Sequence, residues 1–163
     1  MVKKFVICVN LWILICVNLC SAKDLLKRTG IGFNSQISGN NVNSLSIRHW
    51  VSKKIGIEGL VGFSLGDDTI FDIGVKLLRI LKEEQNLNLY GFGLVGTETA
   101  EVGNSKDTLL TVSGGFGIEF FFNEFPNLGF GTELGLGFNN ANNKEQFGTF
   151  AGWLTVVGIR YYQ

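Results

Sequence analysis

With 163 residues, and with Lys plus Arg and Asp plus Glu numbering 14 each, the chain has room for one domain and lacks the basic excess that nucleic-acid binding needs. Its three cysteines, Cys8, Cys16 and Cys20, all lie near the amino terminus, which excludes disulfide, thiolate-metal and cysteine-nucleophile chemistry from the rest of the chain. The 22 glycines beside a single proline, Pro126, exclude collagen and proline-rich linkers.

Lys3 and Lys4, the apolar run from Phe5 to Leu19 and the small residues of Cys20-Ser21-Ala22 have the three parts of a secretory signal peptide, spanning residues 1–22 and cut after Ala22. The apolar run is short for a membrane helix and contains Asn10 and Asn18. Leu19 is too bulky for the position before a lipidated Cys20. Cleavage removes Lys3 and Lys4, so residues 23–163 carry a slight acidic excess.

Strand side chains alternate between two faces, and after a lead-in at Lys23 to Lys27 the chain alternates almost throughout. Thr29 to Ile37 places Ile31, Phe33 and Ile37 against Gly30, Gly32, Asn34 and Gln36, and a Gly/Asn loop follows at 38–43. The second strand sets Leu45, Ile47, His49 and Val51 against Ser44, Ser46, Arg48 and Trp50, and it ends in a tight turn at 52–54. Ile55, Ile57, Val61 and Phe63 oppose Gly56, Glu58, Leu60 and Gly62 in the third. After a loop at 64–69, Phe71, Ile73, Val75 and Leu77 oppose Asp72, Gly74 and Lys76 in the fourth. Val75 to Glu84 is rich in helix formers but is read as strand running into a charged turn at 80–86, because its neighbours need an antiparallel partner.

Leu87 to Thr97 is the fifth strand, with Tyr90, Phe92 and Leu94 expected outside and Leu89, Gly91 and Gly93 inside; a polar loop is expected at 98–107. Thr108 to Phe122 turns Leu110, Val112, Phe116, Ile118, Phe120 and Phe122 one way and Ser113, Gly115, Gly117 and Glu119 the other. A turn at 123–127 holds Pro126 at a strand entrance. Leu128 to Phe138 is the clearest stretch: Leu128, Phe130, Thr132, Leu134, Leu136 and Phe138 fall on one face, and four glycines and Glu133 on the other. An Asn-rich loop at 139–146 leads to a last strand, Phe147 to Tyr162, with Ala151, Trp153, Val157, Ile159 and Tyr161 against Gly152, Gly158 and Arg160.

A soluble sheet would bury its greasy face and clothe the other in bulky charge. A face made of glycine around isolated ions suits the cramped lumen of a membrane barrel, with lipid outside. Eight strands of membrane-crossing length predict an all-β, eight-stranded antiparallel up-and-down transmembrane β-barrel, the smallest usual size. In this pattern the mature chain resembles the small eight-stranded outer-membrane barrels of Gram-negative bacteria, the OmpA-like, OmpX-like and opacity-type surface proteins. The resemblance implies an outer-membrane location, outer-membrane lipid as surroundings and the barrel-assembly machinery as a partner. Val157, Ile159, Tyr161 and Tyr162 resemble the terminal assembly signal of that group, although the chain ends in Gln163.

The inward face collects Arg48, Glu58, Asp72, Lys76, Glu119, Glu133 and Arg160, acids and bases in near balance that must pair where water is scarce. The reading is a salt-bridge network that holds the barrel in register, with a structural or surface-interaction role and no cofactor. The polar tips at Asn40, Asn41, Asn139, Asn140, Asn142 and Asn143 suit an extracellular saccharide or protein. A narrow porin-like channel, a soluble periplasmic ligand-binding barrel with its faces inverted, and a lipid-modifying barrel enzyme are the alternatives, in that order. For the enzyme, the single histidine, His49, faces away from Ser44 and Ser46, a poor geometry for a nucleophile and its base. Asp67, Asp68, Glu98 and Glu101 are read as solvated loop charge in preference to a cation site. The glycine pairs Gly91-Gly93 and Gly129-Gly131 lie within strands and open no helix, so they are not nucleotide loops.

Overall fold

The computed structural model describes residues 25–34, 44–65, 68–102, 105–141, 144–150 and 157–163. The leader, the loop at 38–43 and the Trp153 stretch of the last strand lie outside the described residues. The strands are β1 (Thr29–Asn34), β2 (Ser44–Trp50), β3 (Ile55–Ser64), β4 (Asp68–Glu83), β5 (Leu87–Val102), β6 (Ser105–Phe121), β7 (Leu128–Ala141), β8 (Lys144–Phe150) and β9 (Val157–Tyr162). Each of β1 to β7 pairs antiparallel with the next. The far half of β7 then pairs with β8, as in Phe138↔Phe147, and its near half with β9, as in Phe130↔Ile159. Pairing of β9 with β1, through Ile31↔Tyr161 and Phe33↔Ile159, closes the sheet. The two pieces β8 and β9 thus form one stave, and the molecule is a closed eight-staved, up-and-down antiparallel barrel. At the level of β9 this closure leaves no sheet edge, the condition for strands to cross a bilayer.

The period-two pattern decides the faces. Ile47, Ile57, Ile73, Val75, Val112, Phe116, Leu134 and Ile159 all point outward and are 43–55% exposed. Inside, Arg48, Glu58, Lys76 and Glu119 are wholly buried. Across the described residues, large apolar side chains are more often exposed than buried, the inverse of a water-soluble domain and the arrangement lipid demands. A soluble ligand-binding barrel, which needs the greasy face inside, is incompatible with these faces.

Several expectations change. β4 runs on through Glu83, with a register shift between Ile80 and Lys82, so the charged turn expected at 80–86 shrinks to the residues between Glu83 and Leu87. Among the described residues, the loops expected at 64–69, 98–107 and 139–146 are mostly strand. Asp68 pairs with Val102, Glu101 with Lys106, and Asn139 with Gln146. Their polar residues include Thr69 and Thr99, whose branched side chains suit a pleated sheet as well as a loop.

The largest correction concerns β5, whose faces are the reverse of those expected. Tyr90 and Leu94 are at most 1% exposed and Phe92 is 8% exposed, all inside, whereas a Cβ added to Gly93 would meet nothing within 4 Å. Directly opposed residues of an antiparallel pair share a face. Lys76↔Leu94, Leu78↔Phe92 and Ile80↔Tyr90 therefore place all three with the inward lysine. Inward glycines elsewhere supply the room. A Cβ on Gly56 would sit 2.9 Å from the Trp50 ring, one on Gly30 would meet the Tyr162 ring at 2.6 Å, and one on Gly117 would collide with Tyr90.

The lumen is graded along its axis. At the near end, which carries the turns before β3, β5 and β7, Leu25, Trp50, Leu78, Ile80, Phe121 and Tyr162 belong to one buried apolar cluster. The chain before β1 is tied down there: Lys27 N donates to Trp50 O at 3.0 Å, and Arg28 Nη2 donates to Asn127 Oδ1 at 3.1 Å. The middle is ionic. Toward the far end, Asn34, Ser44, Asp72, Glu98 and Thr111 form a buried polar tier.

Candidate functional site: the lumen charge network

Alternation turns Arg48 (β2), Glu58 (β3), Lys76 (β4), Glu119 (β6), Glu133 (β7) and Arg160 (β9) into the lumen, and register puts neighbours side by side, as in Arg48↔Glu58↔Lys76. Glu58 is the hub. Its Oε2 accepts from Arg48 Nη2 at 2.7 Å and from Arg48 Nε at 3.0 Å, a two-pronged grip typical of guanidinium and carboxylate. Its Oε1 accepts from Arg160 Nη2 and from Ser46 Oγ, each at 2.5 Å. Ser46 Oγ in turn accepts from Arg160 Nε at 3.1 Å, which fixes the hydroxyl between two ions.

The network also crosses the lumen. Arg48 Nη1 reaches Glu119 Oε2 at 3.3 Å, and Nη2 reaches Glu133 Oε1 at 3.4 Å. Lys76 Nζ donates to Glu133 Oε2 at 2.7 Å. Two tyrosines complete the carboxylates: Tyr90 OH donates to Glu133 Oε1 and Tyr162 OH to Glu119 Oε1, both at 2.7 Å. Arg48 stands over the Tyr90 ring, and Lys76 Nζ over the Phe92 ring, each 5.0 Å from the centroid, so the reversed face of β5 serves the cations as well as the volume. Three cations face three carboxylates, with staves on opposite sides joined through the axis. Each charge is desolvated, so the arrangement depends on every partner being present.

Of the residues singled out in the sequence, Asp72 stands apart. It is inward and fully buried, but it lies nearer the far end, and neither of its oxygens accepts a hydrogen bond among the described residues. Ile159 and Tyr161 face outward, 46% and 51% exposed, whereas Tyr162 turns inward to Glu119. Glu98, expected in an exposed loop, is 4% exposed and lies opposite Asp72. Glu101 and Asp68 lie in strands, and Asp67 is outside the described residues. Sequence reasoning missed Ser46, Tyr90 and Tyr162 as network members. Tyr162 shares the parity of Arg160, a usable signal, while a serine on an inward position carried none.

His49 points outward, with its Nδ1 3.0 Å from Thr29 Oγ1, while Ser44 and Ser46 are fully buried on the other face. No nucleophile and base meet here. Among the described residues no group of three or more His, Cys, Asp or Glu side chains could hold a metal ion.

The fold is that of the small eight-stranded membrane barrels that the sequence resembles. The outer membrane protein Ail of Yersinia pestis, solved in a phospholipid bilayer nanodisc, is similar to this chain with a TM-score of 0.42 and 14% identity, over 83% of this chain and 97% of that one. No protein-family model and no curated protein matches the chain.

Proposed function

We propose that the protein is a small bacterial outer-membrane barrel with a structural and surface-interaction role, exported by its leader and inserted by the barrel-assembly machinery. The observation that carries this reading is the filled lumen. Arg48 bonds to Glu58 on the neighbouring stave and to Glu119 and Glu133 across the axis, below which Trp50, Tyr162 and Phe121 close the near end. A channel needs a continuous wet path, and the buried side chains at two levels of the lumen favour the structural role over a channel.

The parts left to vary are the far-end connections, for which the sequence offers Asn40, Asn41, Asn142 and Asn143, outside the described residues, and the polar end of β7 at Asn140. Saccharide or protein surfaces suit such hydrogen-bonding groups. No catalytic role is assigned, since His49 lies on the outer face. Planar-bilayer recording on purified protein tests the choice against the narrow channel. A silent membrane is expected, and reproducible single-channel steps that vanish on Glu133→Ala or Arg48→Ala would reverse it.

A further inference from the structure

Above the ionic tier, to which Asn34 Nδ2 donates at Glu58 Oε1, several buried oxygens have no hydrogen-bond partner among the described residues. Asn34 and Ser44 are direct partners across β1 and β2, and Gly62, Asp72 and Glu98 are successive partners across β3, β4 and β5. Asn34, Ser44, Asp72 and Glu98 are each at most 4% exposed. Asn34 Oδ1, Ser44 Oγ and both oxygens of Asp72 make no hydrogen bond among the described residues. Two of these atoms converge: a methyl group built on Gly62 would lie 2.8 Å from Asp72 Oδ2 and 2.9 Å from Ser44 Oγ. Both oxygens therefore crowd the same position above Gly62, where only a hydrogen leaves them room to approach each other.

Charge points the same way. Arg48, Lys76 and Arg160 are matched by Glu58, Glu119 and Glu133 in the tier below, so that network has no cation to spare for Asp72. A buried carboxylate without a counter-charge is costly, and a second carboxylate directly opposite adds to the cost. The donors around it are carboxylate, hydroxyl and amide oxygens, with neither nitrogen nor sulfur ligands, and oxygen-only sets select hard cations.

We propose that the far third of the lumen binds one small hard cation between Asp72 and Ser44, with Asn34 and the facing Glu98 as further oxygen donors and water completing its shell. Two carboxylates make this a weak site, with a dissociation constant on the order of 10⁻⁴ to 10⁻³ M for Ca²⁺. It would neutralise the far tier as the salt bridges neutralise the middle.

The test uses the mature protein folded in an uncharged detergent, where lipid phosphate cannot contribute. Ca²⁺, Mg²⁺ and Na⁺ are titrated by calorimetry and by the denaturant midpoint. The expected result is saturable one-site Ca²⁺ binding with a raised midpoint in the parent. Asp72→Asn should abolish both and be at least as stable as the parent in chelator. Ser44→Ala should keep the fold and weaken Ca²⁺ several-fold. Absence of saturable binding in the parent, or Ca²⁺ titrations of both variants that match the parent, would overturn the proposal. So would a midpoint that responds to pH between 5 and 8 but to none of the three cations, since a proton would then be what neutralises Asp72.

Discussion

Glu58→Ala is expected to destabilise the barrel by roughly 3–5 kcal/mol, the usual cost of removing one member of a buried ion pair and leaving the others uncompensated. The reason is specific to its position. Glu58 is the carboxylate that grips Arg48 through two nitrogens, and it is the closest anionic partner of Arg160. Its loss leaves two guanidinium groups short of charge in a space that excludes water, and frees the Ser46 hydroxyl that both it and Arg160 engage. Glu133→Ala should cost a few kcal/mol, by the same mechanism, through Lys76 and Tyr90. Denaturant unfolding in phospholipid vesicles, followed by tryptophan fluorescence, measures both. A Glu58 variant as stable as the parent would show that water reaches the tier and solvates its ions.

The second large effect belongs to the outer face. Val75→Arg should destabilise the protein in a bilayer by about 2–4 kcal/mol, the cost of a cation on the lipid face near mid-depth. Val75 is 55% exposed, midway along β4, and its direct partners Gly59 and Val95 point the same way. In a water-soluble protein an exposed valine tolerates arginine to within ~0.5 kcal/mol. Comparing the variant with Val75→Thr in vesicles of defined thickness isolates the charge. A Val75→Arg protein that inserts and unfolds like the parent would mean that this face meets water.

How much of this was legible in the sequence depended on how strongly each strand separates its two faces. In β7 one parity is mostly large and apolar and the other is glycine around Glu133, and β3 departs from that pattern only at Gly59 and Leu60, so the faces followed directly. In β5 the parities are mixed. Tyr90, Phe92 and Leu94 look greasier than Leu89, Gly91 and Gly93, and the rule that greasy residues meet lipid gave the wrong face. The lumen needs bulk wherever its neighbours are glycine, and that demand is set by Gly117 on another stave. One local clue was present. Carrying the strand past Thr97 places Glu98 in phase with Leu94, and a carboxylate on the lipid face is the costlier choice.

The ionic residues were readable as an inward set because alternation fixes their parity, but their grouping was not. Whether Asp72 joins Lys76, on the same face of the same strand, depends on their depths along the barrel, which follow from the stagger of eight paired staves. The hydroxyls of Ser46, Tyr90 and Tyr162 became visible as partners only once that stagger brought them to Glu58, Glu133 and Glu119.

The central claim, a sheet closed on itself with its apolar face in lipid, is tested most directly by gel mobility after refolding into phospholipid vesicles, with and without heating. A closed barrel keeps its inter-strand hydrogen bonds in cold detergent, so the unheated protein should migrate as a compact band that shifts to a different mobility on boiling, and it should sediment with the vesicles. One mobility under both conditions, with the protein left in the aqueous supernatant, would contradict the membrane barrel.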